Sequence, residues 1–128
     1  MIPKVIHYCW FGRNEKSELI KRCIDSWKKY CPGYDIVEWN EDNCDLNSCT
    51  YVKEAYEAKK WAFVSDYIRH FVLEQYGGIY LDTDVELLKP LDSFLSGNFV
   101  ALENEHSIAS GLIMGCEKQN WFCEEMLA

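Results

Sequence analysis

Two aspartates separated by one residue, Asp82 and Asp84, directly follow a short apolar segment over residues 79–81. That segment has the composition of a buried strand. Side chains two residues apart on extended backbone face the same way, so both carboxylates are expected to point into one small volume. Carboxylates held that closely repel each other unless one is protonated or a cation lies between them. A Mn²⁺ or Mg²⁺ ion suits such oxygen ligands; an acidic loop without a ligand is the alternative.

A second candidate pair, Asp66 and Arg69, lies upstream on a stretch whose spacing predicts a helix over 61–76, ended by Gly77. Residues three apart share a helical face. The planar guanidinium of Arg69 matches phosphate and sugar oxygens, and the Asp66 carboxylate suits a sugar or ribose hydroxyl. The alternative is an exposed ion pair of little energetic consequence.

Trp10 ends the first predicted strand, over residues 4–10. Ligands of open α/β sheets bind in the loops that follow such strands, so Trp10 is a candidate stacking platform for a flat base or a sugar face. Core packing is the alternative for this indole. His7, inside the same strand, is predicted to be a packed, hydrogen-bonded histidine rather than a ligand.

The elements that must position these residues follow from periodicity. A helix after residue 17 separates the first strand from a second one over 34–39, and this order predicts a parallel βαβ unit in a single α/β domain over 1–128. The inner face of the helix over 61–76 is predicted to carry Ala62, Tyr67, Ile68, Phe71, Val72 and either Gln75 or Tyr76. The other predicted elements are a short helix over 51–60, strands over 98–102 and 108–114, and a helix over 120–127.

Composition narrows the classes of function. A net charge of −8 argues against a general grip on nucleic-acid phosphates, so no nucleic-acid partner is expected. The seven cysteines contain no C-x-x-C pair, which argues against a structural zinc site. The first residues lack the pattern of a signal peptide, so a cytoplasmic location is expected.

Three stretches together resemble the sugar-binding DXD region of a large glycosyltransferase family. They are S-D-Y-I-R at 65–69, Y-G-G-I-Y-L-D-T-D at 76–84 and I-P-K-V-I-H-Y-C-W-F-G at 2–12. The family includes the yeast Golgi initiating mannosyltransferases, bacterial capsular polysaccharide glycosyltransferases and, more remotely, the large glucosylating toxins. The resemblance extends from residue 2 to about residue 115.

The resemblance implies a GT-A fold, which is a Rossmann-like α/β nucleotide-diphospho-sugar transferase domain. It implies a nucleotide-sugar donor, with a UDP-sugar favoured over a GDP-sugar, a Mn²⁺ or Mg²⁺ cofactor, and retention of the donor's anomeric configuration. The implied acceptor is a saccharide or a lipid-linked glycan, as in capsular polysaccharide biosynthesis. A lipid-linked acceptor would bring the protein to the inner membrane face as a peripheral protein.

The resemblance also assigns catalytic roles by position. Asp84 would be the direct metal ligand. Asp82 would reach the ribose or the sugar, directly or through the water shell of the metal. Arg69 would supply a second cation for the negative charge that develops on the diphosphate.

Substrate contacts follow in the same way. Trp10 would stack near the base, and Asp66 would contact the donor sugar together with Arg69. Tyr80, in the strand before the aspartates, is a further substrate-binding candidate. Ser110 occupies the segment over 108–115 in which the family usually carries an asparagine beside the donor sugar.

Two alternatives remain at this stage. Catalytic domains of this type usually extend well beyond 128 residues, so the sequence is expected to be truncated at its C-terminal side and could be a donor-binding fragment without catalysis. Haloacid-dehalogenase-like phosphatases also carry D-x-D after an apolar strand. They normally have Thr or Val where this chain has Glu86, and they place that strand at the start of the fold.

Overall fold

The computed structural model describes residues 2–44, 50–92, 95, 99–101, 107–109 and 113–116. Within these residues, the order is a strand, a helix, a second strand, two helices and a third strand, followed by four more strands. The helices are α1 (Glu18–Tyr30), α2 (Thr50–Glu57) and α3 (Trp61–Tyr76). The strands are β1 (Val5–Cys9), β2 (Asp35–Trp39), β3 (Gly78–Leu81), β4 (Val85–Leu87), β5 (Phe99–Ala101), β6 (Ser107–Ala109) and β7 (Ile113–Cys116).

A five-stranded mixed sheet of order β2-β1-β3-β7-β5 organises the molecule. The first strand, β1, pairs in parallel with both β2 and β3, whereas β7 runs antiparallel to β3 and to β5. A separate two-stranded antiparallel sheet joins β4 to β6. The predicted parallel βαβ unit and the predicted α/β class are therefore confirmed.

Helices cover the sheet on both faces. The alternating residues of β3 divide between two hydrophobic clusters, with Ile79 and Leu81 on the side of α1 and Tyr80 on the side of α2 and α3. A strand buried on both faces reads as a continuous apolar run, which is why residues 79–81 lack polar alternation. The helix α1 contributes the fully buried Trp27 to the first cluster.

Both long helices have the predicted bounds to within a residue or two. The Ser17 hydroxyl accepts a hydrogen bond from the Ile20 amide at 3.3 Å and caps α1, and Gly77 ends α3 with its N–H donated to the Leu73 carbonyl. The predicted inner face of α3 is partly wrong. Its buried residues are Val64, Ile68, Val72 and Leu73.

The face that α3 buries is narrower than its hydrophobic spacing predicts. The residues that touch the sheet recur every four positions and form a narrow stripe. Ala62, Phe71, Gln75 and Tyr76, which were predicted to face inwards, are exposed, Phe71 by 40% and Tyr76 by 55%. The remaining faces of α3 line surface clefts, and one of these clefts contains the candidate site.

One observed strand was not predicted, and two predicted features lie outside the residues that the structure describes. The strand β4 was not predicted, and the predicted helix over 120–127 lies outside the described residues, as does Ser110. Among the helices described, none is both long enough and apolar enough to cross a membrane.

Candidate functional site

A cleft of about 330 Å³ lies where β1 and β3 end, beside the first half of α3. Parallel strands bring their carboxyl ends to the same edge of a sheet, and ligands of α/β folds bind there. The sequence-predicted residues that line this cleft are Asp66, Arg69, Tyr80, Asp82 and Asp84. Residues from α3 and from the segment after β3 thus meet in one place.

The two aspartates lie on a tight turn that connects β3 to β4. The Val85 amide donates a hydrogen bond to the Asp82 carbonyl at 3.0 Å, with Thr83 and Asp84 as the central residues. The prediction that extended backbone would align the two carboxylates is therefore wrong in its geometry. The carboxylates are partly buried and line the same cleft because the turn curls around its edge.

Contacts from α1 hold the far side of this turn. The Trp27 indole N–H donates to the Val85 carbonyl at 2.8 Å, and the Leu87 amide donates to the Ser26 hydroxyl at 2.9 Å. Both residues of α1 are buried. The strand β4 has only three residues, and among the described strands it pairs with β6 alone, so these two bonds help to fix the strand that leaves the turn.

Arg69 lies deeper than an ordinary surface arginine. Its side chain is 16% exposed, and its guanidinium contacts the Asp66 carboxylate at 2.8 Å and lies 5.7 Å from the centre of the Tyr80 ring. The buried Arg69 Nε has no hydrogen-bond partner among the described residues. The shared helical face is confirmed. The ion pair that was the alternative also forms, but with Arg69 largely buried at the cleft rather than fully exposed.

The floor of the cleft is uncharged. Tyr80 is 2% exposed, and burial, above all, raises the pKa of its phenol well above the ordinary value, with the nearby Asp82 carboxylate adding to the rise. Burial also raises the pKa of the Cys9 thiol. The Tyr80 phenol and the Cys9 thiol are therefore neutral near pH 7. Because the thiolate is the nucleophilic form of cysteine, Cys9 is not activated as a nucleophile.

An adjoining cleft of about 320 Å³ carries two tryptophans. It shares Cys9, Ala62, Ser65 and Thr83 with the acidic cleft, so the two form one continuous depression. Trp10 is half-buried, donates its indole N–H to the Asn14 carbonyl at 2.7 Å and has the Lys16 ammonium 5.5 Å from its ring centre. Trp10 therefore lines the cleft and also packs against the first hydrophobic cluster, so the stacking role stays a prediction.

The second tryptophan of this cleft, Trp61, was missed by the sequence reasoning. It begins α3 and packs on Gly12, where a Cβ atom would come within 2.9 Å of the indole. The signal that could have found it is its spacing, because Trp61, Ser65 and Arg69 follow one another every four residues along one face of the helix.

His7 fulfils the prediction of a packed, hydrogen-bonded histidine. It is 2% exposed, and its ring nitrogens contact the Gly77 carbonyl and the Trp39 indole N–H. Burial lowers the pKa of its imidazole, against the smaller effect of the Gly77 bond.

The donor set that the turn offers to a divalent cation consists of two carboxylates, those of Asp82 and Asp84. Within the described part of the chain, no cluster of three or more His, Cys, Asp or Glu side chains forms a closed metal site. Mg²⁺-type ions, however, are usually bound through one or two carboxylates and share the remaining positions with waters and substrate phosphates. The carboxylates of Asp82 and Asp84 on one cleft wall fit such a shared site.

Comparison with known proteins relates the chain to sugar transferases. A family model described as "Glycosyltransferase sugar-binding region containing DXD motif" matches residues 17–101. Inositol phosphoceramide mannosyltransferase 3 of Schizosaccharomyces pombe is 30% identical over 132 residues, which cover 94% of this chain and 35% of that protein. The initiation-specific alpha-1,6-mannosyltransferase of Candida albicans is 32% identical over 126 residues, which cover 90% of this chain and 32% of that protein. The chain thus spans about a third of the length of these relatives.

A solved structure shares the fold. The PaToxG glycosyltransferase superposes on 98% of this chain with a TM-score of 0.73 and 23% sequence identity, and the match covers 59% of that chain. The expected GT-A-like architecture is therefore confirmed.

Proposed function

The chain belongs to the glycosyltransferase family whose sugar-binding region contains a DXD motif, and we propose that it transfers a hexosyl group from a nucleotide-sugar donor to a saccharide or lipid-linked glycan acceptor. The observation that carries this proposal is the single cleft at which Asp66, Arg69, Asp82 and Asp84 meet, continuous with the cleft beside Trp10. That arrangement matches the parts of a nucleotide sugar, which has a flat base, an anionic diphosphate and a polyhydroxylated ring.

The diphosphate end of the donor is proposed to bind at the turn. Asp84, with Asp82 beside it, would hold a Mn²⁺ or Mg²⁺ ion. When bound, such an ion would act as a Lewis acid that neutralises charge on the diphosphate leaving group. Because the turn is tied to α1 through Val85 and Leu87, its carboxylates need little reorganisation when the donor arrives.

Arg69 is proposed to meet the donor from the opposite wall. Its guanidinium is anchored by Asp66 on one side, lies over the Tyr80 ring and lines the cleft, and we propose that it donates to phosphate or sugar oxygens there. The pKa of Tyr80 is raised by its burial, so the ring beneath the guanidinium stays uncharged. Asp66, whose side chain is 51% exposed, would accept hydrogen bonds from the sugar hydroxyls.

The base is proposed to bind in the adjoining cleft, between Trp10 and Trp61. Two aromatic side chains on one cleft suit a flat heterocycle, and the polar groups of Asn14 and Ser17 lie at its rim. Uridine remains our favoured base and guanosine the alternative. The names of the yeast relatives make a mannosyl group the first sugar to test.

In the proposed reaction the bond between C1 of the sugar and the diphosphate oxygen breaks while the acceptor hydroxyl forms a new bond to C1 on the same face. Negative charge passes to the diphosphate, where Arg69 lies, and the acceptor proton leaves with the departing group. No carboxylate needs to become a covalent intermediate, so retention would come from a front-face displacement. The chain spans about a third of the length of its relatives, so the acceptor cannot be read from this chain alone. We propose its class from the names of these relatives, which include an inositol phosphoceramide mannosyltransferase.

The alternatives are disfavoured to different degrees. The glycosyltransferase family model matches residues 17–101, and this match argues against the interpretation as a phosphatase. A donor-binding fragment without turnover makes a distinct prediction, which is metal-dependent donor binding with no release of sugar.

Calorimetric titration with UDP-glucose, UDP-galactose and GDP-mannose, each with Mn²⁺ and with EDTA, tests the proposal. We expect one nucleotide class to bind, and only with the metal. Proton NMR of the same mixtures would then follow hydrolysis and give the configuration of the first released sugar, which should be that of the donor. Binding of none of the donors, or equal binding in EDTA, would contradict the proposed function.

A further inference from the structure

His7 is buried in the middle of β1 and has a specific partner at each ring nitrogen. Its Nε2 lies 2.8 Å from the Gly77 carbonyl oxygen, and its Nδ1 lies 3.0 Å from the Trp39 indole nitrogen. An indole N–H can only donate, so Nδ1 must be the accepting nitrogen of a neutral ring. Nε2 therefore carries the proton and donates it to the Gly77 carbonyl. Trp39 thus selects the tautomer that bonds to Gly77.

Gly77 and Gly78 form the turn by which α3 passes into β3. Both have backbone conformations that favour glycine, with φ values of 68° and 112°. A Cβ atom at Gly78 would lie 2.7 Å from the Val5 carbonyl oxygen and 3.0 Å from the Nε2 of His7. The turn therefore lies directly against β1, and the His7–Gly77 hydrogen bond links the two at this point.

The strand that leaves this turn is short, and the candidate site lies at its other end. The strand β3, Gly78–Leu81, begins within the turn, and three of its residues separate the turn from Asp82. Two residue pairs with β1, Ile6 with Ile79 and His7 with Tyr80, define the parallel register. Because strand residues alternate between faces, a shift by one residue would take Tyr80 away from the guanidinium of Arg69.

We propose that His7 is a positioning residue for the donor site. Through its bond to the Gly77 carbonyl it fixes where β3 begins, and thereby where Tyr80 and the Asp82–Asp84 turn lie relative to Arg69. The imidazole touches no substrate in this account, because it acts through the four residues of β3. The inference rests on the proposed function and adds to it a residue outside the cleft.

Two substitutions separate the two bonds of His7. In His7→Gln the amide nitrogen reaches about as far as Nε2 and keeps a donor for the Gly77 carbonyl. In His7→Asn the shorter side chain keeps an acceptor near Nδ1 for Trp39 but does not reach Gly77. Both variants introduce a neutral amide at the same buried position, so each serves as the matched control of the other.

The measurement is calorimetric affinity for the nucleoside diphosphate that the wild type binds, with Mn²⁺, alongside urea unfolding of each variant. We expect His7→Asn to lose affinity by about tenfold or more and His7→Gln to stay within about threefold of the wild type. That split should hold even where the two variants unfold at similar urea concentrations. Equal affinities in the two variants would overturn the positioning role.

If His7→Asn does not fold, Trp39→Phe provides the test. It leaves His7 in place and removes the donor that selects its tautomer, so the ring loses its fixed preference for the Gly77 bond. A fall in affinity of about threefold or more supports the inference, and unchanged affinity overturns it. A wild-type protein that binds neither UDP nor GDP would instead overturn the proposed function itself, which separates the two failures.

Discussion

At the scale of single residues, Arg69 distinguishes this cleft from an acidic surface depression. Asp66, Asp82 and Asp84 would otherwise give it a uniformly negative lining that repels a diphosphate. The guanidinium is held by Asp66 and by the Tyr80 ring, and its exposure of 16% keeps solvent from screening it fully. A cation in this position makes the cleft suitable for an anionic donor.

Replacing Arg69 by lysine should therefore impair donor binding although the positive charge is kept. An ammonium group cannot contact the Asp66 carboxylate, the Tyr80 ring and a phosphate with the same planar geometry. We expect the Arg69→Lys variant to bind the nucleotide sugar about tenfold or more weakly, a difference of roughly 1.4 kcal/mol or more in binding free energy. Calorimetric titration measures this directly.

The control for that substitution is Arg22→Lys on α1. The Arg22 side chain is 64% exposed and pairs with Glu86 at 3.5 Å, outside the cleft. Its affinity should equal that of the wild type. An equal loss of affinity for the nucleotide sugar in both variants, or no loss in either, would argue that the guanidinium of Arg69 does not contact the donor.

The pKa of His7 gives a prediction for stability against pH. Burial lowers the pKa of its imidazole below the ordinary value of 6.5, so the unfolded chain binds more protons than the folded chain near and below that pH. The stabilising contribution is thus complete above about pH 6.5 and is lost as the pH falls towards the folded pKa. Urea unfolding at about pH 7 and about pH 5 should show a larger loss for the wild type than for His7→Gln.

Comparing the wild type with His7→Gln separates the effect of His7 from that of His70, whose pKa is also shifted. Burial also lowers the pKa of His70, but that residue is present in both proteins and its effect cancels in the difference. Parallel losses of stability in the wild type and in His7→Gln would show that His7 does not titrate as its surroundings require.

The candidate site was largely predictable at the residue scale. Asp82, Asp84, Asp66 and Arg69 could be identified because each pair is local in sequence and has a chemistry of its own. Trp61 was missed: its spacing with Ser65 and Arg69 indicates a shared helical face, but its contact with Gly12, about fifty residues earlier in the chain, does not follow from that spacing. The roles of these residues as ligands of donor and metal remain predictions.

At the scale of elements, the turn that carries the aspartates is held by neighbours on both sides. On the entering side, β3 pairs with β1 and begins at the turn bonded to His7. On the leaving side, β4 is bonded to Trp27 and Ser26 of α1. The helix between β1 and β2 therefore contributes to the geometry of a site that contains none of its charged residues.

Local pattern predicted some elements and missed others for identifiable reasons. The βαβ unit and the length of α3 follow from hydrophobic spacing, the Ser17 cap and the terminal Gly77, all of which are local. The strand β4 is three residues long and exists through pairing with β6, about twenty residues later in the chain. The turn at Asp82 depends on that pairing, so the extended geometry expected from the sequence was wrong.

The junction between β1 and β3 yields a stability prediction at this scale. Gly78→Ala adds a Cβ atom 2.7 Å from the Val5 carbonyl oxygen, at a residue whose φ of 112° disfavours any side chain. Neither backbone can move without disturbing the sheet, so we expect a loss of about 2 kcal/mol or more in the free energy of unfolding. Urea denaturation followed by far-UV circular dichroism provides the value.

A matched glycine is available as the control. Gly33 follows α1, is exposed, and has no atom within 4 Å of the position where a Cβ would be added. Gly33→Ala should leave stability within about 1 kcal/mol of the wild type. If both alanine variants unfold alike, β1 and β3 are not as closely apposed as their register requires.

At the scale of the whole molecule, a central sheet between two hydrophobic clusters supports a cleft at one of its edges. The clusters lie on opposite faces, and β1 and β3 contribute to both. The residues proposed to bind the donor come from the ends of these two strands and from one face of α3. A chain that spans about a third of its relatives can thus contain the complete set of proposed donor contacts, apart from Ser110, which lies outside the described residues.

The central claim is that the Asp82–Asp84 turn binds a nucleotide sugar together with a divalent ion. The most direct test is calorimetric titration of the preferred nucleotide sugar with and without Mn²⁺ on the wild type, on Asp84→Asn and on Asp25→Asn, whose exposed aspartate on α1 gives the same change of charge away from the cleft. We predict metal-dependent binding in the wild type and in Asp25→Asn, and a loss of at least about tenfold in Asp84→Asn. Binding that is unchanged in Asp84→Asn, or that does not depend on the metal in the wild type, would contradict the account.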